Sequence, residues 1–383
     1  MTLAVVAGAI ANKPRNGGEA WVRLSWVLGL QRLGFDVRLV EELDPATCVD
    51  ERGRPAGLDA SVQMAHWRAV VERFGLEGRA ALIVGGGRHV EGSTWDRLHE
   101  EADEADLLVN ISGALRDPGL RSRFDRAAYV DLDPGFTQFW AAQGADVGLD
   151  GHDLYFTVGL NVGTAVCDVP TGDVEWRPLP PFVVLDEWPV VDPASPSRLT
   201  TVASWRSYGR VEHGDRTFSL KAHQFRRFVE LPQRAPQTFE IALDIHPGDD
   251  ADRRLLEESG WVLVDPVIAA GDPDRFRSYV QGSGGEFSVA QGIYVETRSG
   301  WVSDRTVKYL ASGLPALVQD TGIRDLLPTG EGLLTFSDLD EAVAGAHDIA
   351  RDPDRHRLAA RQLAQQQFDS AVVLGRLLAA AIA

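Results

Sequence analysis

The stretch SGWVSDRTVKYLASGLPALVQDTG, residues 299–322, contains the most informative local signals of the chain. Ser303 is a residue type that caps helices, and Asp304 suits the positive first turn. Gly313 and Pro315 end the helix after about three turns. A loop that opens such a helix presents free backbone N–H groups, so it binds anions and diphosphates in particular. An ordinary capped core helix with a solvated Asp–Arg pair has the same pattern.

Around this stretch, strand-like and helix-like segments alternate along the chain. The first half begins with an apolar strand at residues 3–8, a glycine-containing loop, a helix at 19–33 and a second strand from residue 36. This βαβ pattern indicates parallel strands with a right-handed crossover. Further strands are predicted, in the first half at 80–84, 107–111 and 127–132 and in the second half at 199–205, 239–245, 261–264, 292–296 and 315–319. Helices are predicted at 61–74, 94–105, 220–229, 250–259, 272–281 and 303–312, with two more within 339–368.

A proline-rich segment separates the two alternating halves. Residues 169–196 contain seven prolines, a density that neither a helix nor a central strand tolerates. The sequence therefore predicts two α/β domains, residues 1–185 and 186–383, with the last helix crossing back. Ligands of such domains bind at the carboxyl ends of the strands, so we expect a site in the cleft between the halves.

Composition restricts the partners and the compartment. The 383 residues carry a net charge of −18, which disfavours nucleic acid and anionic membranes as partners because both require a clustered positive surface. The two cysteines, Cys48 and Cys167, are too few for a disulfide framework and indicate a reducing compartment. Residues 3–10 are apolar but short and lack a preceding basic segment, so we expect a strand there rather than a signal peptide or membrane helix. These observations predict a cytoplasmic protein without an integral membrane segment.

Two quoted segments resemble one enzyme family. The segment SDRTVKYLASGLPALVQDTGIRDLLPTGEGLLTFSDLDEAV (residues 303–343) resembles the nucleotide-sugar half of group-1-like GT-B glycosyltransferases. The segment NGGEAWVRLSWVLGLQRLGFDVRLVEEL (residues 16–43) resembles their amino-terminal opening. The resemblance implies two Rossmann-like domains facing a central cleft, an acceptor-binding amino-terminal domain and a donor-binding carboxyl-terminal domain.

The resemblance also implies a set of donor residues. Members of the family often carry a Glu-x7-Glu pair around the predicted helix, but the corresponding residues are Gly300 and Lys308, so the pair is absent. Asp304, one turn before Lys308, is the nearest replacement carboxylate; it would bind a ribose hydroxyl or merely pair with the lysine. Arg206 and Lys221 match the order of the family's two diphosphate-binding cations; surface charges on a strand end and a helix start are the alternative. The predicted donor-binding residues are Gly17, Gly18, Arg206, Lys221, Ser303, Asp304, Arg305 and Lys308.

The general base is harder to assign from sequence. Asp133 follows a predicted strand, and we expect it to line the cleft and to accept the proton of an acceptor hydroxyl if the reaction inverts the anomeric centre. His89 follows a glycine loop and is a second candidate because imidazole titrates near neutrality, although most histidines are structural. Asp131 and Asp133 also resemble the metal-binding Asp-x-Asp of GT-A glycosyltransferases, but such an enzyme should not need a second complete α/β domain.

These expectations combine into one function and two alternatives. The sequence predicts a metal-independent, cofactor-free glycosyltransferase that moves a sugar from a nucleotide diphosphate sugar to a hydroxyl of a small molecule, such as a specialised metabolite, or of a glycan. A nucleotide-sugar epimerase of the same fold would need no acceptor site. A hinged ligand-binding protein would close on a ligand without chemistry.

Overall fold

The computed structural model describes residues 2–87 and 89–381. Over those residues, the first half of the chain forms a sheet of eight strands with helices on its faces. Its strands are β1 (Leu3–Ala7), β2 (Asp36–Leu43), β3 (Ala80–Val84), β4 (His89–Glu91), β5 (Leu107–Ile111), β6 (Ala127–Asp131), β7 (Leu154–Thr157) and β8 (Trp176–Pro178). Its helices are α1 (Gly17–Arg32), α2 (Val62–Arg73), α3 (Trp95–Glu104), α4 (Pro118–Arg121) and α5 (Phe136–Ala142).

The second half forms another sheet, of six strands in the part of the chain that the structure describes, and a small hairpin. The strands are β9 (Ser195–Ser204), β10 (Glu212–His213), β11 (Arg216–Thr217), β12 (Thr238–Asp244), β13 (Val262–Val264), β14 (Ser283–Ser288), β15 (Ala316–Gln319) and β16 (Leu333–Phe336). The helices are α6 (Lys221–Arg226), α7 (Leu231–Arg234), α8 (Asp250–Glu258), α9 (Pro266–Ala270), α10 (Pro273–Gln281), α11 (Gly292–Glu296), α12 (Asp304–Ala311), α13 (Leu339–Arg351), α14 (Pro353–Leu363) and α15 (Ser370–Ala381).

Both sheets have the same strand order. The second sheet runs β13-β12-β9-β14-β15-β16 with every pairing parallel. The first sheet contains the equivalent series β3-β2-β1-β5-β6-β7, extended by antiparallel β4 at one edge and parallel β8 at the other. Counted along the chain, each series is the doubly wound order 3-2-1-4-5-6, in which ligands bind where the strand order reverses. The predicted pair of Rossmann-like halves is therefore confirmed.

One predicted strand is wrong. Residues 292–296 form α11, and the strand that enters the sheet there is β14, the sequence SGGEFS. Short apolar runs such as GIYVE cannot be assigned by periodicity alone. Glycine is uncommon in strands, so the two glycines of β14 argue against a strand at the sequence level. The fold nevertheless requires them, because a Cβ on Gly284 would overlap the carbonyl of Pro196 and one on Gly285 would lie 2.6 Å from the oxygen of Pro315.

The two halves are joined at more than one place. The first sheet ends at Pro178 and the second begins at Ser195, so the proline-rich segment contains the short edge strand β8 as well as the connection. The final helix α15 packs against α1 of the first half, where a Cβ on Gly29 would touch Leu374. In the described residues, no helix combines the length and the apolar character needed to cross a bilayer.

Candidate active site

A large cleft opens between the two sheets at the carboxyl ends of their strands. It contains a cavity of about 680 Å³, lined on one side by residues that follow β1, β5, β6 and β7 and on the other by α11, α12 and the start of α6. A second cavity of about 500 Å³ adjoins it at the carboxyl ends of β9 and β12. The residues that line both cavities are Glu19, Val22, Ser207, Lys221, Gln291, Asp304 and Arg305.

The amino end of α12 faces this cleft. Ser303 caps the helix, and its hydroxyl accepts a hydrogen bond from the backbone N–H of Arg305 at 3.2 Å. Ser303 lines the larger cavity, and Asp304 and Arg305 line both cavities. The helix is eight residues long in the structure, so its partial positive charge adds to that of the neighbouring cations. The predicted anion-binding helix end therefore lies beside open space rather than against protein.

Arg305 is held rigidly by its own half of the molecule. Its guanidinium donates to Glu286 Oε1 at 2.7 Å, to the carbonyl of Val202 at 2.7 Å and to Ser288 Oγ at 2.9 Å. Three of its five N–H donors are used in these contacts, which leaves donors for a ligand. Glu286 is completely buried on β14, so the strand that sequence analysis missed carries the residue that positions this cation.

Lys221 is the second cation of the cleft. It begins α6 and lines both cavities. Burial and the nearby Arg305 lower the pKa of its ammonium to about 7, although Glu286 acts in the opposite direction. Among the described residues, no carboxylate oxygen lies within 4 Å of this ammonium. A cation that is desolvated without an ion pair is suited to an anionic ligand.

Lys308, predicted to bind the donor, pairs instead with Asp304 of its own helix. Its side chain is fully buried, and Nζ donates to the carboxylate of Asp304 at 2.8 Å and to the Asp304 carbonyl at 3.0 Å. These contacts within α12 satisfy the ammonium and orient Asp304, which lines both cavities. The pairing of Asp304 with Lys308 is therefore observed, and the carboxylate remains the group that a ligand in the cleft would meet.

Asp133 lies across the cleft from these cations. Its Oδ1 accepts a hydrogen bond from the hydroxyl of Tyr294 at 2.9 Å, and its Oδ2 accepts one from Tyr208 at 3.1 Å. Burial, followed by the negative charge of Asp131, raises the pKa of Asp133 to about 6. A carboxylate with this pKa is ionised at neutral pH and is a better proton acceptor than an ordinary aspartate.

Asp131 is a structural residue that supports Asp133. It is completely buried at the end of β6 and accepts hydrogen bonds from Thr137, Gln138 and Thr157 at 2.6–2.8 Å. Its Oδ1 also accepts the backbone N–H of Asp133, which fixes the turn that carries the candidate base. Over residues 2–87 and 89–381, no group of three or more His, Cys, Asp or Glu side chains is arranged to hold a metal ion.

Three predicted site residues lie elsewhere. Arg206 is exposed and pairs with Asp249, outside both cavities. His89 begins the edge strand β4, where it is exposed beside Glu91 and lines neither cavity. Gly17 is a packing residue, because a Cβ there would overlap the carbonyl of Asp272 at the start of α10. Arg206, His89 and Gly17 therefore lie outside the two cavities that the other predicted site residues line.

Gly18, by contrast, lines the second cavity at the start of α1. Sequence reasoning missed several other residues of the cleft, namely Glu19, Arg23, Ser207, Tyr208, Gln291 and Tyr294. Glu19 and Arg23 form an ion pair on α1. Nothing local in the sequence distinguishes the two tyrosines, which reach Asp133 only because the second half folds over the first.

Comparisons with known proteins agree with this architecture. No family model matches the sequence, and no curated protein matches it. Solved structures do match over 99% of this chain: an alpha-glucosyltransferase in complex with UDP, with a TM-score of 0.60, 10% identity and 99% of its own chain covered, is similar. So is Anabaena Alr3699/HepE in complex with UDP and glucose, with a TM-score of 0.56, 12% identity and 99% of its chain covered. The chain has the GT-B fold. At these identities, the GT-B fold is what the likeness establishes.

The comparisons also correct the expectation about nucleic acid. A structure of the same alpha-glucosyltransferase contains UDP and a 13-mer DNA, and it matches this chain with a TM-score of 0.60 and 10% identity, covering 98% of that chain. A GT-B protein of this shape therefore binds DNA, and the exclusion of nucleic acid from the net charge is wrong. Net charge describes the whole chain, whereas a partner meets only the local distribution of charge.

Proposed function

We propose that this chain is a glycosyltransferase that moves a sugar from a UDP-sugar to an acceptor hydroxyl. The observation that carries the proposal is that Lys221, Arg305 and the amino end of α12 line one cavity together with Asp133 of the other half. The UDP and UDP-glucose in the similar structures support uracil as the base of the donor. Residues 186–383 would bind the donor, and residues 1–185 would bind the acceptor.

The donor half would act on the leaving group. When the bond between the anomeric carbon and the phosphate oxygen breaks, its electron pair stays with UDP and negative charge develops on the diphosphate. Lys221, Arg305 and the backbone N–H groups of α12 would stabilise this charge with hydrogen bonds. Arg305 is held in place by three contacts with protein, so little reorganisation is needed when the charge appears.

The acceptor half would supply the base. The acceptor oxygen attacks the anomeric carbon, and its proton passes to the carboxylate of Asp133, which the raised pKa suits for this transfer. In this scheme the new glycosidic bond replaces the bond to phosphate, and UDP and the protonated aspartic acid are the other products. The anomeric form of the product checks the role: direct attack with Asp133 as base inverts the configuration.

We also propose that the transfer needs no divalent metal, because Lys221 and Arg305 supply the positive charge that a metal supplies elsewhere. Overnight dialysis against EDTA should then leave the rate unchanged, and a loss that Mg²⁺ or Mn²⁺ restores would contradict this. The proposed compartment is the cytoplasm, where thiols such as those of Cys48 and Cys167 stay reduced.

The first test is a thermal-shift panel of UDP, ADP, GDP and dTDP, since a ligand that binds only the native state raises the melting temperature. We expect the largest shift with UDP. The second test is release of UDP from UDP-glucose in the presence of candidate acceptors: small-molecule polyols, phenols, oligosaccharides and duplex DNA, the last because a similar structure contains DNA. Conversion of the sugar without any acceptor would identify an epimerase, and binding without turnover would identify a binding protein. No shift with any nucleotide would refute the proposal.

A further inference from the structure

Both oxygens of the Asp133 carboxylate are occupied by tyrosine hydroxyls from the other half of the molecule. Tyr294, on α11, is 3% exposed; its ring stacks on Trp301 with centroids 4.6 Å apart. Tyr208 lies on the loop between β9 and β10 and is 48% exposed. The tyrosine on Oδ1 is thus part of the core, whereas the tyrosine on Oδ2 lies at the cavity surface.

This difference matters because an acceptor oxygen must come within hydrogen-bond distance of a carboxylate oxygen before it gives up its proton. We propose that the Tyr208 hydroxyl occupies the acceptor-hydroxyl position on Asp133 and leaves it when the acceptor binds, while Tyr294 stays and orients the carboxylate. Tyr294 is then a positioning residue and Tyr208 an exchangeable cover. The inference rests on the proposed function, since it takes Asp133 as the base.

The surroundings of Tyr208 are suited to such an exchange. Its ring makes edge contacts with Phe136 and Trp140, at centroid distances of 5.1 and 5.5 Å, so it lies on an aromatic surface rather than in a socket. The residue before it, Ser207, has a φ of 51°, a left-handed conformation that a non-glycine residue adopts only when the surrounding structure holds it. An acceptor that displaced the phenol would pack against Phe136 and Trp140 in its place. This aromatic surface favours an acceptor with an apolar or ring-shaped face.

The groups around Asp133 determine whether its pKa rises or falls when a tyrosine hydroxyl is removed. Asp131 on β6 and Glu19 on α1 both raise the pKa of Asp133, and the hydroxyls of Tyr208 and Tyr294 lower it. Arg23 pairs with Glu19 on α1 and moderates its charge. Removing either tyrosine hydroxyl therefore raises the pKa of Asp133. A hydrogen bond to a charged group corresponds to a shift of about one to two pH units.

Two variants separate the roles, because the pH profile of kcat/KM reports the free enzyme and that of kcat the substrate complex. Tyr294→Phe should move the acidic limb of both profiles up by about one to two units. Tyr208→Phe should move the limb of kcat/KM for the acceptor by a similar amount and leave the limb of kcat unchanged, because the acceptor has already replaced the phenol there. Tyr155→Phe, whose hydroxyl donates to the carbonyl of Leu149 away from the cleft, is the matched control and should shift neither.

The results for Tyr208→Phe test the exchange of the phenol, and they differ from the results that would overturn the proposed function. If Tyr208→Phe moves the limb of kcat as well, the phenol stays on Asp133 during the reaction and the exchange is refuted. If it moves neither limb, Tyr208 does not contact the base in solution and the inference is also refuted. If the wild-type enzyme transfers sugar but has no acidic limb near pH 6, Asp133 is not the base, and absence of UDP binding would overturn the function itself.

Discussion

If a UDP-sugar binds beside Lys221 as proposed, the titration of this ammonium predicts that the affinity for UDP depends on pH. With a pKa of about 7 in the free protein, the ammonium carries a proton in about a quarter of the molecules at pH 7.5 and in about 3% at pH 8.5. A bound diphosphate favours the charged form, so binding takes up the missing proton. The affinity for UDP should therefore fall about eightfold between pH 7.5 and 8.5, a range in which UDP itself is fully ionised because phosphate has its second pKa near 6.

Isothermal titration calorimetry measures both the affinity and the proton uptake. Binding heats in two buffers of different ionisation enthalpy should give about 0.75 proton taken up per UDP at pH 7.5. In the Lys221→Ala variant both the pH dependence and the uptake should disappear. A charge-assisted hydrogen bond is worth about 1.5–3 kcal/mol, which is about 13- to 160-fold in affinity. Because only about a quarter of the wild-type molecules carry the proton before binding, the affinity at pH 7.5 should fall about 3- to 40-fold.

Two further variants separate the titration of Lys221 from a general effect of positive charge. Lys221→Arg stays charged at every pH used and should bind UDP with no pH dependence. Arg206→Ala is the matched control, because its guanidinium pairs with Asp249 outside both cavities, and it should behave as the wild type. Binding of UDP to the wild type without proton uptake would refute this role of Lys221, as would an Arg206→Ala variant that weakens binding as much as Lys221→Ala does.

Three other predictions follow from the same structure. Asp133→Asn should lower the transfer rate at least 100-fold, the scale of a lost general base, and leave the calorimetric affinity for UDP within twofold; a rate near that of the wild type would exclude the residue as the base. Gly17→Ala should lower the melting temperature, with a loss of about 1–3 kcal/mol from overpacking against Asp272, whereas Gly57→Ala, which has open space around it, should not. Lys221→Met should raise the melting temperature of the ligand-free protein at pH 7 and gain nothing above pH 10.5. The reason is that the ammonium has its pKa lowered on folding, so its burial destabilises the native state fully below pH 7 and progressively less up to the unfolded pKa.

Much of the fold could be predicted from local pattern. Ser303, Asp304 and Gly313 mark the ends of α12, and the apolar run of β1 followed by the start of α1 gives the first βα unit. These signals involve residues that are neighbours in sequence, and caps and periodicity act over such distances. Several strands were not predicted, among them the short strands β4, β7 and β16. Two of the missed strands have a physical reason: the glycines of β14 are required by close contacts with distant backbone, and β8 joins the sheet edge inside a proline-rich segment.

The site was predictable only where a residue is fixed by the element that carries it. Asp133 follows a strand and Lys221 begins a helix, so both belong to the strand-end face whatever the details of packing. Arg206 also follows a strand, but its long side chain turns towards Asp249, which comes from a loop more than forty residues later. Tyr208 and Tyr294 could not be predicted, since their contact with Asp133 depends on how the two halves meet.

The cleft contains two kinds of cation, arginine and lysine, which differ in how firmly they are held and in whether their charge changes. Lys13, Lys221 and Lys308 are the only lysines among 38 basic residues, and all three line the larger cavity. Arg305 spends three donors on its own half, which makes it a fixed and permanently charged part of the site. An ammonium on a flexible stem instead changes its protonation and position with its ligand. The compact ammonium of Lys308 is wholly buried against Asp304. In the proposed function, Lys221 would gain its charge when a diphosphate binds. An arginine is charged at every accessible pH, so it cannot gain charge when a ligand binds. Exchanging Lys221 for arginine should therefore preserve the affinity for UDP but abolish its dependence on pH.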